Sequence, residues 1–136
     1  MLDEYKTLIY LGSPYSHPDA AVRQQRFEAV CLATGKLIAQ GHHVLSPIAH
    51  SHPVSTLSTK NGITIPGDWK FWKPYDANII LRCDVFAVLM LPGWRESTGL
   101  NAEIEIALEH GLSVVYVCAD TLQFYSDPEK KFDVQI

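Results

Sequence analysis

Short runs of apolar, largely β-branched residues, separated by stretches with helical periodicity, constrain this chain most. Leu8–Leu11, His43–Leu45, Asp84–Leu91 and Leu112–Cys118 read as strands. Between them, Phe27, Val30, Cys31, Thr34, Leu37 and Ile38 recur at helical spacing, with Pro18 and Asp19 in the first turn and Gly41 just past the end. A second helix is expected over Ser97–His110, with Ser97 or Thr98 as N-cap and Gly111 beyond it. A third is expected over Lys73–Leu81 with Pro74 at its start. Strands alternating with helices imply crossover connections and a mainly parallel sheet. Residues 1–136 are expected to form a single α/β domain.

Ligands of parallel sheets bind beyond the carboxyl ends of the strands. That rule brings three segments together: the turn-rich loop Gly12–His17, the chain from Ser46 onward, and Pro92–Thr98. Ile48–Trp69 has no clear period and is expected to be a long functional loop, often a lid. The tail after Asp120 is compatible with a last short strand or with reaching onto another subunit.

Bulk properties exclude several classes. A net charge of −4 lacks the basic footprint of a nucleic-acid polymer binder. No apolar run approaches the roughly 18 residues of a membrane span, and the opening MLDEYKTLIY has no signal-peptide character, so the cytoplasm is the expected location. Cys31, Cys83 and Cys118 are far apart and read as thiols in a reducing compartment. His42, His43, His50, His52 and Asp68 raise the question of a metal, but no zinc-type framework accompanies them, and no metal or organic cofactor is expected.

The informative residue is Glu103. At about 100° per residue, Leu100, Ile104, Ala107 and Leu108 define the buried face of the last helix, and Glu105 and Glu109 lie opposite. Glu103 falls toward the edge of the apolar arc, a costly place for a carboxylate unless it is paired or used. Two readings follow: a rim glutamate that snorkels to water or pairs with an arginine, or an acid facing a pocket at a helix start that favours anions. Taken alone, Asp76 reads as a surface acid, and Asp84 as a structural one capping the preceding turn. Trp69, Phe71, Trp72 and Tyr75 are either packing or a stacking wall for a ligand.

In order, the motifs are Tyr10-Leu11-Gly12-Ser13-Pro14, then Asp76, then Cys83-Asp84-Val85-Phe86-Ala87-Val88, then Ser97-Thr98-Gly99-Leu100-Asn101-Ala102-Glu103. This series resembles the nucleoside 2-deoxyribosyltransferase superfamily, which includes the 2′-deoxynucleoside 5′-monophosphate N-glycosidases. The likeness runs over Leu8–Val117, and extends to a branch that opens, as here, with Ser13-Pro14-Tyr15-Ser16-His17-Pro18-Asp19. The resemblance implies a flavodoxin-like three-layer sandwich around a five-stranded, mainly parallel sheet. It also implies a nucleophile at Glu103, a general acid at Asp76, eight residues before Asp84, and an orienting tyrosine at Tyr10.

The same resemblance places substrate at Ser13 and Ser97; Gly12, Tyr15 and Gly99 in the same loops, and Trp72 as part of the stacking wall, are expected to join them. A serine at position 97, where transferases acting on free nucleosides carry an acid, is the residue of the monophosphate branch. That branch carries an arginine two residues after the loop serine; here the position is Tyr15, which leaves Arg23, Arg26, Arg82 or Arg95 to compensate. The implied activity is hydrolysis of a nucleoside 5′-monophosphate through a covalent glycosyl-glutamate. The alternatives are base exchange between deoxynucleosides and, from another class, a non-catalytic nucleotide sensor. A homodimer or larger homo-oligomer is also implied.

Overall fold

The computed structural model describes residues 7–136; the opening stretch that argues against a signal peptide lies largely outside the described residues. The elements in order are β1 (Leu8–Gly12), α1 (Ala20–Ala39), β2 (His43–Leu45), α2 (Pro47–Lys60), α3 (Trp69–Ile80), β3 (Val85–Leu89), α4 (Thr98–Glu109), β4 (Ser113–Val117) and β5 (Phe124–Tyr125). They form an α/β fold on one five-stranded sheet in the order β2-β1-β3-β4-β5. The first four strands are parallel, and β5 runs antiparallel to β4. The tail thus supplies the last short strand. Among the described residues, no helix is long and apolar enough to cross a membrane.

The core divides into two clusters because alternate strand residues point to opposite faces. Ile9, Leu11, Ala87, Leu89, Val115 and Val117 pack with Val30, Ala33 and Leu37 of α1. Tyr10, Phe86 and Val88 pack with Ile80 of α3 and with Leu100, Ile106 and Ala107 of α4. At Gly12 the second cluster closes onto bare backbone: a Cβ there would lie 2.6 Å from Phe86 Cζ and 2.9 Å from Leu100 Cδ1. Any side chain would force these two core residues apart.

The structure corrects the expected long loop. Residues 47–60 are a 14-residue helix, α2, although His, Ser, Thr and an internal Pro53 are poor helix formers. Ser46 caps it by accepting from Ala49 N at 3.1 Å, and Pro47 occupies its first turn. The hydroxyls of Thr56 and Thr59 donate back to the His52 and Ser55 carbonyls. Capping and packing against α1 and β1 outweigh propensity here.

The third helix also begins a turn earlier than expected, at Trp69, so Pro74 lies inside α3 rather than at its start. On α4 the buried residues are Leu100, Glu103, Ile106 and Ala107, whereas Leu108 is exposed. The buried face is therefore centred on the glutamate, not beside it. Asp84 caps no turn: its Oδ2 accepts from Leu8 N at 2.8 Å and ties the start of β1 to the start of β3.

Candidate active site

β1 connects to β2 on one side of the sheet, and β3 lies on the other side of β1, so the strand order reverses between β1 and β3. The loops leaving those two strands diverge and open a crevice. A cavity of about 930 Å³ fills it. Its walls are the β1–α1 loop, the first turns of α1, the N-terminal half of α2, α3 with the loop before it, and the start of α4.

Glu103 and Asp76 both border this cavity. Glu103 is only 7% exposed, and the Tyr10 hydroxyl, itself fully buried, donates a hydrogen bond to its Oε2. Tyr10 does not border the cavity; it stacks on Phe86, ring centroids 5.2 Å apart, and reaches Glu103 from below. The glutamate is thus neither a snorkelling rim acid nor an arginine partner. Burial and the nearby Asp76 charge push the Glu103 carboxyl up to about 8, against the opposing pull of the Tyr10 hydrogen bond. Burial alone raises Asp76 to about 6. Tyr10 is raised too, first by burial and then by the two acids, which keeps it a hydrogen-bond donor. Two neighbouring acids with raised pKa values share protons near neutrality, a state suited to acid–base and nucleophilic chemistry.

Most of the other expected residues converge on the same space. Ser13, Tyr15, Trp72, Ser97 and Gly99 border the cavity. Ser13 Oγ is buried without a hydrogen-bond partner. Ser97 acts as the N-cap of α4, accepting from Leu100 N at 3.3 Å, so its position at the cavity also has a local structural use. Trp72 donates from Nε1 to the Pro66 carbonyl at 2.8 Å and packs edge-on against Phe71 and Tyr75. Gly12 does not border the cavity; its place in the sequence serves the close approach of Phe86 and Leu100.

The structure adds residues that sequence reasoning left out or unplaced. Arg23 and Arg26 border the cavity, whereas Arg82 bonds Asn78 and Arg95 pairs with Glu129 at 3.2 Å. Position alone could have found the first two, since both fall in the opening turns of the helix that leaves the crevice loop. His52, in sequence one of several histidines that raised the question of a metal, has a defined place here. Its Nδ1 lies 2.7 Å from the Tyr15 hydroxyl and its Nε2 lies 3.0 Å from Gln24 Oε1, while its ring stacks on Phe27 at 4.1 Å. His42 packs on Phe124 and His50 meets Tyr75, so these histidines point to different neighbours. Among the described residues no group of three or more metal-ligating side chains converges.

Fold and cavity together define an α/β protein whose strand-end crevice holds a buried glutamate–tyrosine pair and a second acid. The chain belongs to the family described as Domain of unknown function (DUF1937), which matches residues 7–119. No curated protein matches it.

Proposed function

We propose that this protein cleaves the N-glycosidic bond of a (deoxy)nucleoside 5′-monophosphate through a covalent glycosyl-glutamate. The observation that carries the reading is Glu103: a carboxylate at the centre of an apolar helix face, held by Tyr10 and sharing a cavity with Asp76. The motif series that resembles the nucleoside 2-deoxyribosyltransferase superfamily supports it, as does the strand order 2-1-3-4-5, which is that of a flavodoxin-like three-layer sandwich. A homo-oligomeric assembly comes with the same resemblance.

In this mechanism Glu103 attacks C1′ of the sugar as the C1′–N bond breaks. The bonding pair leaves with the base, and Asp76 supplies the proton that neutralises it. Tyr10 holds Oε2, which leaves Oε1 for attack. Water then adds to C1′, its proton passes to Asp76, and Glu103 is released as carboxylate. Trp69 and Trp72 on the cavity wall offer faces or edges for the base.

Incubation with deoxynucleosides and their monophosphates, followed by chromatography, is expected to show free base, fastest from the monophosphates. A second base added to the same mixture distinguishes exchange from hydrolysis. Absence of free base with every nucleoside and nucleotide would leave a binding protein rather than an enzyme.

Tyr10 is a positioning residue, and its replacement has a specific signature. Tyr10→Phe keeps the stack on Phe86 but removes the hydroxyl that favours ionised Glu103. Base release by Tyr10→Phe is expected to fall at neutral pH, with the limb near 8, which reports the Glu103 proton, displaced to higher pH. An unshifted pH profile would contradict this role.

A further inference from the structure

We propose that the cavity accommodates a nucleoside di- or triphosphate, with the first phosphate at Ser13 and the start of α4 and the outer phosphates at Arg23 and Arg26. This rests on the nucleotide reading above and extends its substrate class beyond the monophosphate.

Two separate sets of anion-seeking groups border the cavity. The inner set is the N-terminus of the 12-residue helix α4 together with Ser13, whose buried Oγ has no hydrogen-bond partner. A helix start presents free N–H groups, and an unsatisfied hydroxyl bordering the same cavity is a donor awaiting an acceptor. The Tyr15 position, where an arginine would complete a monophosphate clamp, carries no charge. The cations come instead from α1.

Arg23 and Arg26 are half-buried in the cavity wall, and each is held only by neutral backbone groups. Arg26 Nη1 donates to the Ser16 carbonyl at 3.0 Å. Its other terminal nitrogen lies over bare backbone at Gly93, where a Cβ would sit 2.7 Å away. Arg26 therefore spans from the loop after β1 to the loop after β3. Arg23 Nη1 bonds the His17 carbonyl and the Pro18 carbonyl, the latter at 3.1 Å.

Among the described residues the one ion pair is Arg95–Glu129, so neither guanidinium has a carboxylate partner; Glu96, also on the wall, is exposed. Two fixed, unpaired guanidiniums across a cavity mouth match phosphate oxygens in geometry and charge. The volume, near the upper end of the ~300–1,000 Å³ typical of small-molecule sites, leaves room for a phosphate chain beyond the sugar.

The test is calorimetric titration of the full chain carrying Glu103→Gln, so that nucleotides stay intact, with a deoxynucleoside, its mono-, di- and triphosphates, and inorganic tripolyphosphate. Affinity is expected to rise from mono- to triphosphate, and tripolyphosphate is expected to compete with the triphosphate. Arg23→Gln and Arg26→Gln are each expected to weaken the triphosphate by about tenfold, with a smaller loss for the monophosphate. Arg26→Lys, which keeps the charge, is expected to recover part of the loss, and thermal melts identify any variant that has not folded. Equal affinity for mono- and triphosphate in the parent protein overturns the proposal, as does an unchanged ratio in both folded glutamine variants. Phosphate-graded binding without base release from any nucleotide by the unsubstituted protein would retain this site and defeat the catalytic reading. No nucleotide binding at all defeats both.

Discussion

On the proposed mechanism, Glu103→Gln is expected to lower base release by roughly three orders of magnitude or more, since a nucleophile acting as part of a unit leaves little behind when removed. The same substitution is expected to stabilise the fold at alkaline pH. Burial and the Asp76 charge lift the Glu103 carboxyl from 4.5 to about 8 in the folded chain. A raised acid favours the folded state fully below its unfolded pKa, and that contribution is lost as pH rises through the folded value. Above about pH 8 the fold therefore carries an ionised, buried carboxylate. A neutral amide of the same shape removes that cost, worth a few kcal/mol at pH 9 by the conversion of ~1.36 kcal/mol per pKa unit. Thermal melts at pH 5 and pH 9 check this: Glu103→Gln should gain at the higher pH relative to the lower. Loss of activity without the pH-dependent gain would mean that the glutamate is not held in a desolvated place.

The second large effect concerns Asp76. In the proposed reaction the acid pair loses its first proton near 6, mainly from Asp76, and its second near 8, mainly from Glu103, so the productive form, with charge on Glu103 and the proton on Asp76, is the minor arrangement of the singly ionised pair. Base release is therefore expected to follow a bell with limbs near those two values and a maximum between them. Asp76→Asn is expected to lower the rate by about 10²–10⁴-fold, the usual worth of a general acid. It also removes the falling limb, because no group is left whose deprotonation stops the reaction. The remaining rising limb is set by Glu103 alone and lies below about 8, since the Asp76 charge no longer opposes its ionisation. A nucleoside whose base departs without protonation should recover most of the lost rate. A bell that persists in Asp76→Asn, or an equal loss with both kinds of leaving group, would assign the proton to another residue.

The parts of this molecule that were legible in its sequence are those governed by local pattern. The strands β1 to β4 and the helices α1 and α4 follow from apolar period, caps and the glycines at 41 and 111, both at positive φ as helix-ending residues often are. α2 was missed because His, Ser, Thr and Pro53 carry no helical stripe, and Pro47 residue alone is buried along it. Its one sign was Ser46-Pro47, an N-cap followed by a first-turn proline, which reads equally well as the end of a strand. On α4 the apolar residues Ile104 and Leu108 drew the expected face away from its true centre, which a charged residue occupies. The bond from Tyr10 to Glu103 had no local signal at all. It joins chain positions far apart, and only the motif series placed both residues in one site. The cavity-facing roles of Arg23, Arg26 and His52 likewise depend on how α1 and α2 meet, which composition and period do not encode.

The Tyr10–Glu103 bond spans 93 residues. Its partners lie on an interior strand and on the last helix before β4, so the sheet must thread two crossovers before they meet. Closing so long a segment is entropically unfavourable until the intervening contacts are made. On the proposed function, chemistry is therefore a late event in folding: half-assembled chains, however rich in native helix, would be catalytically silent, and turnover would count only molecules whose topology is complete.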